Sequence, residues 1–330
     1  MIVNSKGKEQ FTLHAFAYTM YNNASPVIYT IIVTYNGAQW IRRCLSALAH
    51  SSVHEFTVVV DNASTDDTVG IIKTEFPYNE LIQNKTNAGF GAANNLAIEI
   101  AMRHKADFIF LLNQDVYVYK NAIAQLLRVM QQYNEYGILS PIQQSGNEET
   151  LDYSFKKYLA RVCTKEELKA VAEKTDIHKT AVAVRFVNAA AWMIRAAVVY
   201  KVGYFHPLFF HYGEDNNYSS RVQYHGFKVG ICLNSYVIHD RRQQADKQKE
   251  LLQKIRTIVR YTATDVRKSF AAAYLQAWWK YFSLRRKAAA FRNSSISNAL
   301  REEWLFLNDI AAIRQYRKQM QLPYDSGLEN

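Results

Sequence analysis

Cysteine is scarce. The 330 residues hold three, Cys44, Cys163 and Cys232, far apart. That spacing gives neither a metal-thiolate motif nor an even disulfide framework, and it fits a reducing compartment. Proline and glycine are also few, 5 and 12, which argues against a long flexible linker. No run of 18 or more apolar residues occurs, so the sequence offers no membrane-spanning helix. In the N-terminal stretch SKGKEQFTLHAFAYTMYNNASP, lysines precede a semi-apolar patch. His14 interrupts that patch and no small-x-small cleavage site follows cleanly, so residues 1–26 read as an extension and not as a secretory signal. Two phosphate-binding signatures are missing as well. There is no G-x-x-x-x-G-K-[ST] loop, and the first strand runs into TYNGAQ, which lacks the dinucleotide glycine fingerprint.

What is present is ordinary globular material, 49% hydrophobic and 21% charged, with 22 Tyr and 17 Phe. Rings that are half apolar and half polar suit pockets and surfaces. The length allows one large domain plus a helical appendage. The formal net charge is +11. Nucleic acid, an anionic membrane and phosphorylated small molecules are all compatible partners for such a balance. Much of the excess falls after residue 240, in RRQQADKQKE, IRTIVR and WWKYFSLRRKAAAFRN.

Strand and helix alternate along the first half. VIYTIIVT (27–34) is a buried strand, β-branched and continuous. The helix WIRRCLSALAH follows it. EFTVVV (55–60) is a second strand, and DNASTDDT then starts a helix that Ser64 or Asp66 can cap. ELIQN is a short third strand, NAGFGAANNLAIEIAMRHK a helix, DFIFLLN a fourth strand and NAIAQLLRVMQQY another helix. This alternation predicts a parallel sheet with helices on both faces, an α/β fold whose ligands bind at the carboxyl ends of the strands. Those ends carry Thr34-Tyr35-Asn36, Asp61-Asn62, Asn87 and Asn113-Gln114-Asp115. One polar residue at a strand end is a turn residue; four sets at one edge make a site.

From about 141 to 181 the pattern blurs into a polar, partly helical excursion. Order returns with AVAVRFVNAAAWMIRAAVVYKVGYF, a strand, a turn and a strand running into a helix. Glu214-Asp215 opens the helical stretch EDNNYSSRVQYHG, where carboxylates also serve as plain helix-start residues. FKVGI and SYVI read as two further strands, the second ending on His239. A lone histidine there can be structural. If it meets Asp115 at the rim, one imidazole and one carboxylate leave several positions open on an octahedral Mg²⁺ or Mn²⁺ carrying a substrate diphosphate.

The segments TIIVTYNGAQWIRRCLSAL, VVVDNASTDDT, NAGFGAANN, LLNQD, GYFHPLFFHYGEDNNYSSRVQYHGF and VIH occur in an order that resembles the family 2 glycosyltransferases with a GT-A fold, most closely the bacterial rhamnosyltransferase-type branch. The resemblance covers roughly residues 27–240. It implies a GT-A, mostly parallel sheet over 27–240 and a basic helical region over 241–330. It also implies an inverting, metal-dependent transfer of sugar from a UDP- or dTDP-sugar, dTDP-rhamnose among the candidates. The acceptor would be a hydroxyl of a glycan or lipid-linked glycan, in surface polysaccharide biosynthesis. By the same resemblance Thr34 and Tyr35 lie against the nucleobase, Asp61 accepts from the base N3–H, and Asn87 lines the nucleotide pocket. Asn113-Gln114-Asp115 takes the D-x-D place, with Asp115 on the Mg²⁺ or Mn²⁺ and His239 completing its coordination. Asp215 is the general base and Glu214 shapes the same pocket. Departures are Asn113 for the first acidic residue, Asn217 for an acidic one, His206-Pro207 for Asp-Glu, and Ala92-Ala93 where glycine is frequent.

The tail AAAYLQAWWKYFSLRRKAAAFR alternates rings and aliphatics with Lys and Arg. Two readings stand. It packs on the catalytic domain, or it lies on an anionic membrane with Trp278, Trp279 and Phe282 at the interface and Lys280, Arg285 and Arg286 near headgroups. The charge alone also admits nucleic acid, although no binding module accompanies it. A cytoplasmic enzyme touching the inner face of the membrane fits the second reading. Two other functions remain open: a catalytically silent sugar-nucleotide-binding scaffold, and a basic peripheral membrane protein.

Overall fold

The computed structural model describes residues 25–324 except 149, 176–178, 211, 241–245 and 292. Residues 1–24 of the expected N-terminal extension lie outside the described residues.

Strand β1 (Ile28–Thr34) is buried along nearly its whole length. It pairs in parallel with β2 (Phe56–Asp61) on one side and β4 (Phe108–Asn113) on the other, and β2 pairs in parallel with β3 (Glu80–Gln83). The registers Thr34↔Asp61 and Val33↔Asn113 bring three polar strand ends to one edge. Helices α1 (Ala38–Ala49), α2 (Thr68–Glu75) and α3 (Phe90–Arg103) make the crossovers. Successive residues of β1 feed opposite cores, as the pleat requires. Ile28 and Ile32 join α1 and α2 with Leu45 and Ile72, whereas Tyr29 and Ile31 join α3 through Ala97 and Ala101.

Beyond β4 the parallel order gives way. Only Gln114 and Asp115 separate β4 from β5 (Val116–Val118), too short a link for a crossover helix. Strand β5 therefore leaves β4 and pairs antiparallel with β9 (Lys228–His239). Helix α4 (Ala122–Gln132) leads to β6 (Tyr136–Ser145), which runs parallel to β9 and antiparallel to β8 (Ala191–Arg195). Strand β8 closes antiparallel on β4, and β7 (Ala181–Val184) pairs antiparallel with β9. The path through the sheet is β3-β2-β1-β4-β8-β6-β9-β5.

Three local expectations change. The stretch read as blurred from 141 begins inside β6, which is buried in spite of Ser140, Pro141, Gln143 and Gln144; only α5 (Tyr153–Leu159) and α6 (Lys165–Glu173) form the helical excursion. FKVGI and SYVI are one strand, β9, whose register against β6 jumps from Pro141↔Cys232 to Ile142↔Tyr236. The irregularity absorbs Leu233, Asn234 and Ser235, and the Ser235 hydroxyl donates to the Ala122 carbonyl at 2.8 Å. Helix α2 starts at Thr68, and Asp66 accepts from its backbone N–H at 3.1 Å, while Ser64 instead accepts from Asn36 N–H at 2.9 Å.

Helices α7 (Ala196–Val202) and α8 (Glu214–Tyr224) precede β9. After it come α9 (Lys247–Ala263), α10 (Phe270–Ala288), α11 (Ser294–Asn308) and α12 (Ile310–Gln321). Asp246, Ser269, Asn293 and Asp309 each cap the following helix by accepting backbone N–H bonds. Ile255, Val259, Ala277, Leu284, Leu307 and Ile313 share a separate core. Arg317 of α12 closes the α9–α10 turn by donating to the carbonyls of Asp265 at 2.7 Å and Lys268 at 2.6 Å. The same helix reaches α8, where the Asn217 amide meets Met320 Sδ at 3.2 Å. Trp278, expected at a membrane interface, turns partly into the helical core and stacks on Phe282 with ring centroids 5.6 Å apart.

Candidate active site

Gln114 organises the loop after β1. Its Oε1 accepts from the Thr34 hydroxyl at 2.5 Å and the Tyr35 N–H at 3.0 Å, and its Nε2 donates to the Tyr35 carbonyl at 3.3 Å. Thr34 is fully buried, so Tyr35, 47% exposed, is the member of the pair that presents a side chain at the rim. A Cβ on Gly37 would lie 2.3 Å from Gln114 Oε1, which is why glycine stands there. Asp61, at the end of β2, accepts from Ser64 N–H at 3.1 Å and so holds the loop that follows. Asn62 ties that loop to the next, accepting from Asn84 Nδ2 at 2.8 Å and donating to the Gly89 carbonyl at 3.3 Å. Asn87 is exposed and accepts from Gly89 N–H at 2.9 Å. Asn113 is half-buried at the end of β4, its N–H donating to the Ala190 carbonyl at 2.9 Å.

The β5–β9 register sets Val116 opposite His239. That brings His239 Nε2 to 3.7 Å from Asp115 Oδ1, longer than a hydrogen bond. The other ring nitrogen, Nδ1, lies 3.0 Å from Gln143 Oε1. Gln143 Nε2 in turn donates to Asn188 Oδ1 at 2.8 Å. Among the described residues no cluster of three or more His, Cys, Asp or Glu side chains forms. One carboxylate and one imidazole make a donor set suited to a hard divalent ion that takes its remaining oxygens from a diphosphate and water. The pair fits Mg²⁺ or Mn²⁺ and would not suffice for a closed structural site.

Glu214 and Asp215 open α8 behind Gly213, whose φ of 90° is open to glycine at little cost. Glu214 is 6% exposed, and its Oε2 has no hydrogen-bond partner among the described residues. Burial, reinforced by the charge of Asp215, pushes the Glu214 carboxyl well above its usual range. Burial also raises Asp215, but hydrogen bonds work against it. Asp215 Oδ1 accepts from Asn216 N–H at 2.7 Å and Asn216 Nδ2 at 3.1 Å, and the carboxylate also accepts from the Ala189 backbone. Burial thus opposes ionisation of both carboxyls, and Asp215 is the one better supplied with donors that favour its charged form.

Residues 188–190, the turn into β8, bond to three separate parts of the site. Asn188 holds Gln143, Ala189 holds Asp215, and the Ala190 carbonyl holds Asn113. Sequence reasoning named Gln114 only as the middle of the Asn113-Gln114-Asp115 triplet and passed over Gln143 and the Asn188–Ala190 turn. Neutral amides and alanines carry no charge pattern. The signal available was Gln143-Gln144 inside an apolar run, since a buried amide needs partners.

Residues 29–203, more than half of the chain, match the model of "Glycosyl transferase family 2". The chain belongs to that family. This family 2 glycosyltransferase is 34% identical over 117 residues to the SPbeta prophage-derived glycosyltransferase SunS of Bacillus subtilis, covering 36% of this chain and 27% of SunS. It thus spans about a quarter of that relative's length. It is 23% identical over 217 residues to the O-antigen chain rhamnosyltransferase WbaN of Salmonella anatum, 65% of this chain and 66% of WbaN. Its fold is similar to S. aureus TarS 1-349 in complex with UDP, with a TM-score of 0.56 at 16% identity over 89% of this chain and 90% of that one. The mannosyltransferase PcManGT from Pyrobaculum calidifontis in complex with GDP-Man and Mn2+ gives a TM-score of 0.56 at 15% identity, over 94% and 90%. The fold is GT-A.

Proposed function

We propose that this protein is an inverting, metal-dependent glycosyltransferase that moves a sugar from a UDP- or dTDP-sugar to a hydroxyl of a glycan or lipid-linked glycan. The observation that carries this reading is the 188–190 turn, which ties the Asp115–His239 end to the Asp215 carboxylate through Gln143 and Ala189. A displacement with inversion needs a charge-neutralising group at the leaving diphosphate and a base at the opposite face of the sugar.

Asp115 and His239 would hold Mg²⁺ or Mn²⁺, which supplies Lewis-acid stabilisation of the leaving diphosphate. Tyr35 presents its exposed ring to the nucleobase, and Asp61 accepts from the base N3–H. Thr34 and Gln114 fix the loop that carries Tyr35, and Asn87 shapes the adjoining nucleotide pocket with Asn113. Asp215 takes the proton from the acceptor hydroxyl. Glu214, buried beside it, shapes the same pocket. The likeness to WbaN, an O-antigen chain rhamnosyltransferase, supports rhamnose as the sugar and a polysaccharide chain as the acceptor.

The domain boundaries follow the same reading: catalysis within 27–240, with 241–330 as a helical extension. On α10, Leu275, Trp279 and Phe282 are 68%, 63% and 55% exposed along one face, followed by exposed Arg285, Arg286 and Lys287. An apolar row running into cations suits the inner, anionic surface of a membrane. It would bring a cytoplasmic enzyme to a lipid-linked acceptor. Sedimentation with phosphatidylglycerol vesicles but not phosphatidylcholine vesicles, lost in Trp279→Ala, supports this contact; equal binding to both sinks it.

The decisive experiment is a donor panel. Purified protein is incubated with UDP-, dTDP- and GDP-sugars, with Mg²⁺ or Mn²⁺ or with excess chelator, and hydrolysis and transfer are followed. Metal-dependent turnover of a UDP- or dTDP-sugar with inverted product supports the reading. Full turnover in chelator would remove the metal, and binding without turnover of any donor would favour the scaffold.

A further inference from the structure

Gln143 is fully buried near the C-terminal end of β6, between Ile142 and Gln144. A primary amide there costs free energy unless both ends are used. Both are. The Nε2 donates to Asn188 Oδ1 at 2.8 Å, and the Oε1 lies 3.0 Å from His239 Nδ1. An oxygen can only accept, so the Nδ1 facing it is the protonated nitrogen of His239. The lone pair of the neutral ring is then left on Nε2, the atom on the Asp115 side. A histidine binds a divalent ion through its unprotonated nitrogen, and a partner on its other nitrogen is what fixes the tautomer.

The far end of the amide does something different. Asn188 is followed by Ala189, whose backbone supports Asp215, and by Ala190, whose carbonyl accepts from Asn113 N–H at 2.9 Å. A turn of small residues has no bulky side chain of its own to hold it. Its anchors are these hydrogen bonds, and Gln143 provides the one that comes from the β6 strand.

We propose that Gln143 and Asn188 are positioning residues that couple the two ends of the site: Gln143 sets His239 to bind the cation, and Asn188 transmits the same anchor to the Asp215 base. The proposal rests on the reading of Asp115 and His239 as cation ligands and Asp215 as base. It goes beyond that reading in assigning roles to two uncharged residues that act through His239 and the Ala189 backbone.

The test is Mn²⁺ affinity, read by electron paramagnetic resonance in the presence of UDP, on the full chain. Gln143→Met keeps length and volume and removes both bonds. It should weaken Mn²⁺ by about 10-fold or more, the scale for losing an outer-shell partner of a metal-bound histidine. In a His239→Ala background the same change should have almost no further effect, because Gln143 acts through that ring. Asn188→Ala should lower the transfer rate with little change in donor KM and should weaken Mn²⁺ as well. Asn188→Asp keeps the acceptor oxygen and should restore much of both. Circular dichroism and thermal melts establish that each variant is folded. Unchanged Mn²⁺ affinity in folded Gln143→Met overturns the proposal, as does an equal loss in the His239→Ala background, which would mark a general packing defect. Loss of rate in Asn188→Ala without any change in Mn²⁺ affinity would break the coupling. If the unaltered protein binds no Mn²⁺ with UDP, the metal reading itself falls and this proposal with it.

Discussion

Asp215→Asn tests the division of labour between the two carboxyls. The substitution keeps the size of the side chain and one acceptor oxygen, so the 2.7 Å bond from Asn216 N–H can survive. Asn216 Nδ2 reaches the same Oδ1 at 3.1 Å, so that bond can survive too, and the new amide NH₂ puts only the bond from the Ala189 backbone at risk. One lost bond of this kind costs roughly 1–3 kcal/mol of stability, enough to lower the melting temperature without unfolding the chain. The effect on chemistry is larger in kind. An amide cannot take a proton, and general-base catalysis contributes on the order of 10²–10⁴ in rate. At least about 10²-fold, or roughly 2.7 kcal/mol of barrier, should be lost from transfer. Donor Kd should barely move, since the base serves the acceptor. The pH profile adds a second reading. Burial raises Asp215, so the base form is lost, and the rate falls, as pH drops through a value above the ordinary aspartate range. That acid limb should disappear from the residual activity of Asp215→Asn. The assay is initial transfer rate against pH with donor Kd by calorimetry on the same preparation. Near-normal rate with an intact acid limb would leave Asp215 a helix-start residue and point to Glu214; a collapsed Kd would place Asp215 in the donor site.

Asp61→Ala should weaken UDP or dTDP by roughly 1–3 kcal/mol in calorimetry, the scale of a lost charged hydrogen bond, and unchanged affinity in a folded variant removes Asp61 from base recognition. Gly89 has φ 82°, and a Cβ there would sit 2.1 Å from the Phe210 carbonyl oxygen. Gly89→Ala should therefore lower stability in urea unfolding by about 1–3 kcal/mol or more and disturb the loop ahead of Glu214-Asp215; an unaltered midpoint with full activity contradicts the close approach. Glu303 is fully buried against Arg260 Nε at 2.7 Å, and burial pushes its carboxyl up to about 7 from 4.5. The folded state then holds the proton more tightly than the unfolded chain. The resulting stability is fully present below about 4.5 and is lost as pH rises through about 7, roughly 3 kcal/mol in all. Relative to Glu303→Gln, the melting temperature should fall between pH 5 and 8; parallel curves would show that Glu303 stays ionised.

The parallel half of the sheet was legible because β1, β2 and β4 are continuous apolar runs that end in polar loops, and helices with an apolar face follow β1, β2 and β3. Those local patterns put Asp61, Asn113 and Asp115 at strand ends and Glu214-Asp215 at a helix start. The second half was less legible. Strand β6 carries Ser, Pro and two Gln in a row that no period-2 pattern marks, and β9 hides a bulge between its two apolar pieces. Residue types and order along the chain thus determined the fold class, the family resemblance and the candidate carboxylates. Tertiary structure alone decided which of them meet. The short link after Asp115 forces β5 away from β4 and onto β9, and only that antiparallel pairing brings His239, 124 positions later by the numbering, within 3.7 Å of Asp115. The amides that anchor them, Gln143 and Asn188, lie on separate elements and have no charge or period to announce them. The bond between them, and that between Gln143 and His239, depend on the packing of strands distant in sequence, which brings a buried amide to the partners it needs.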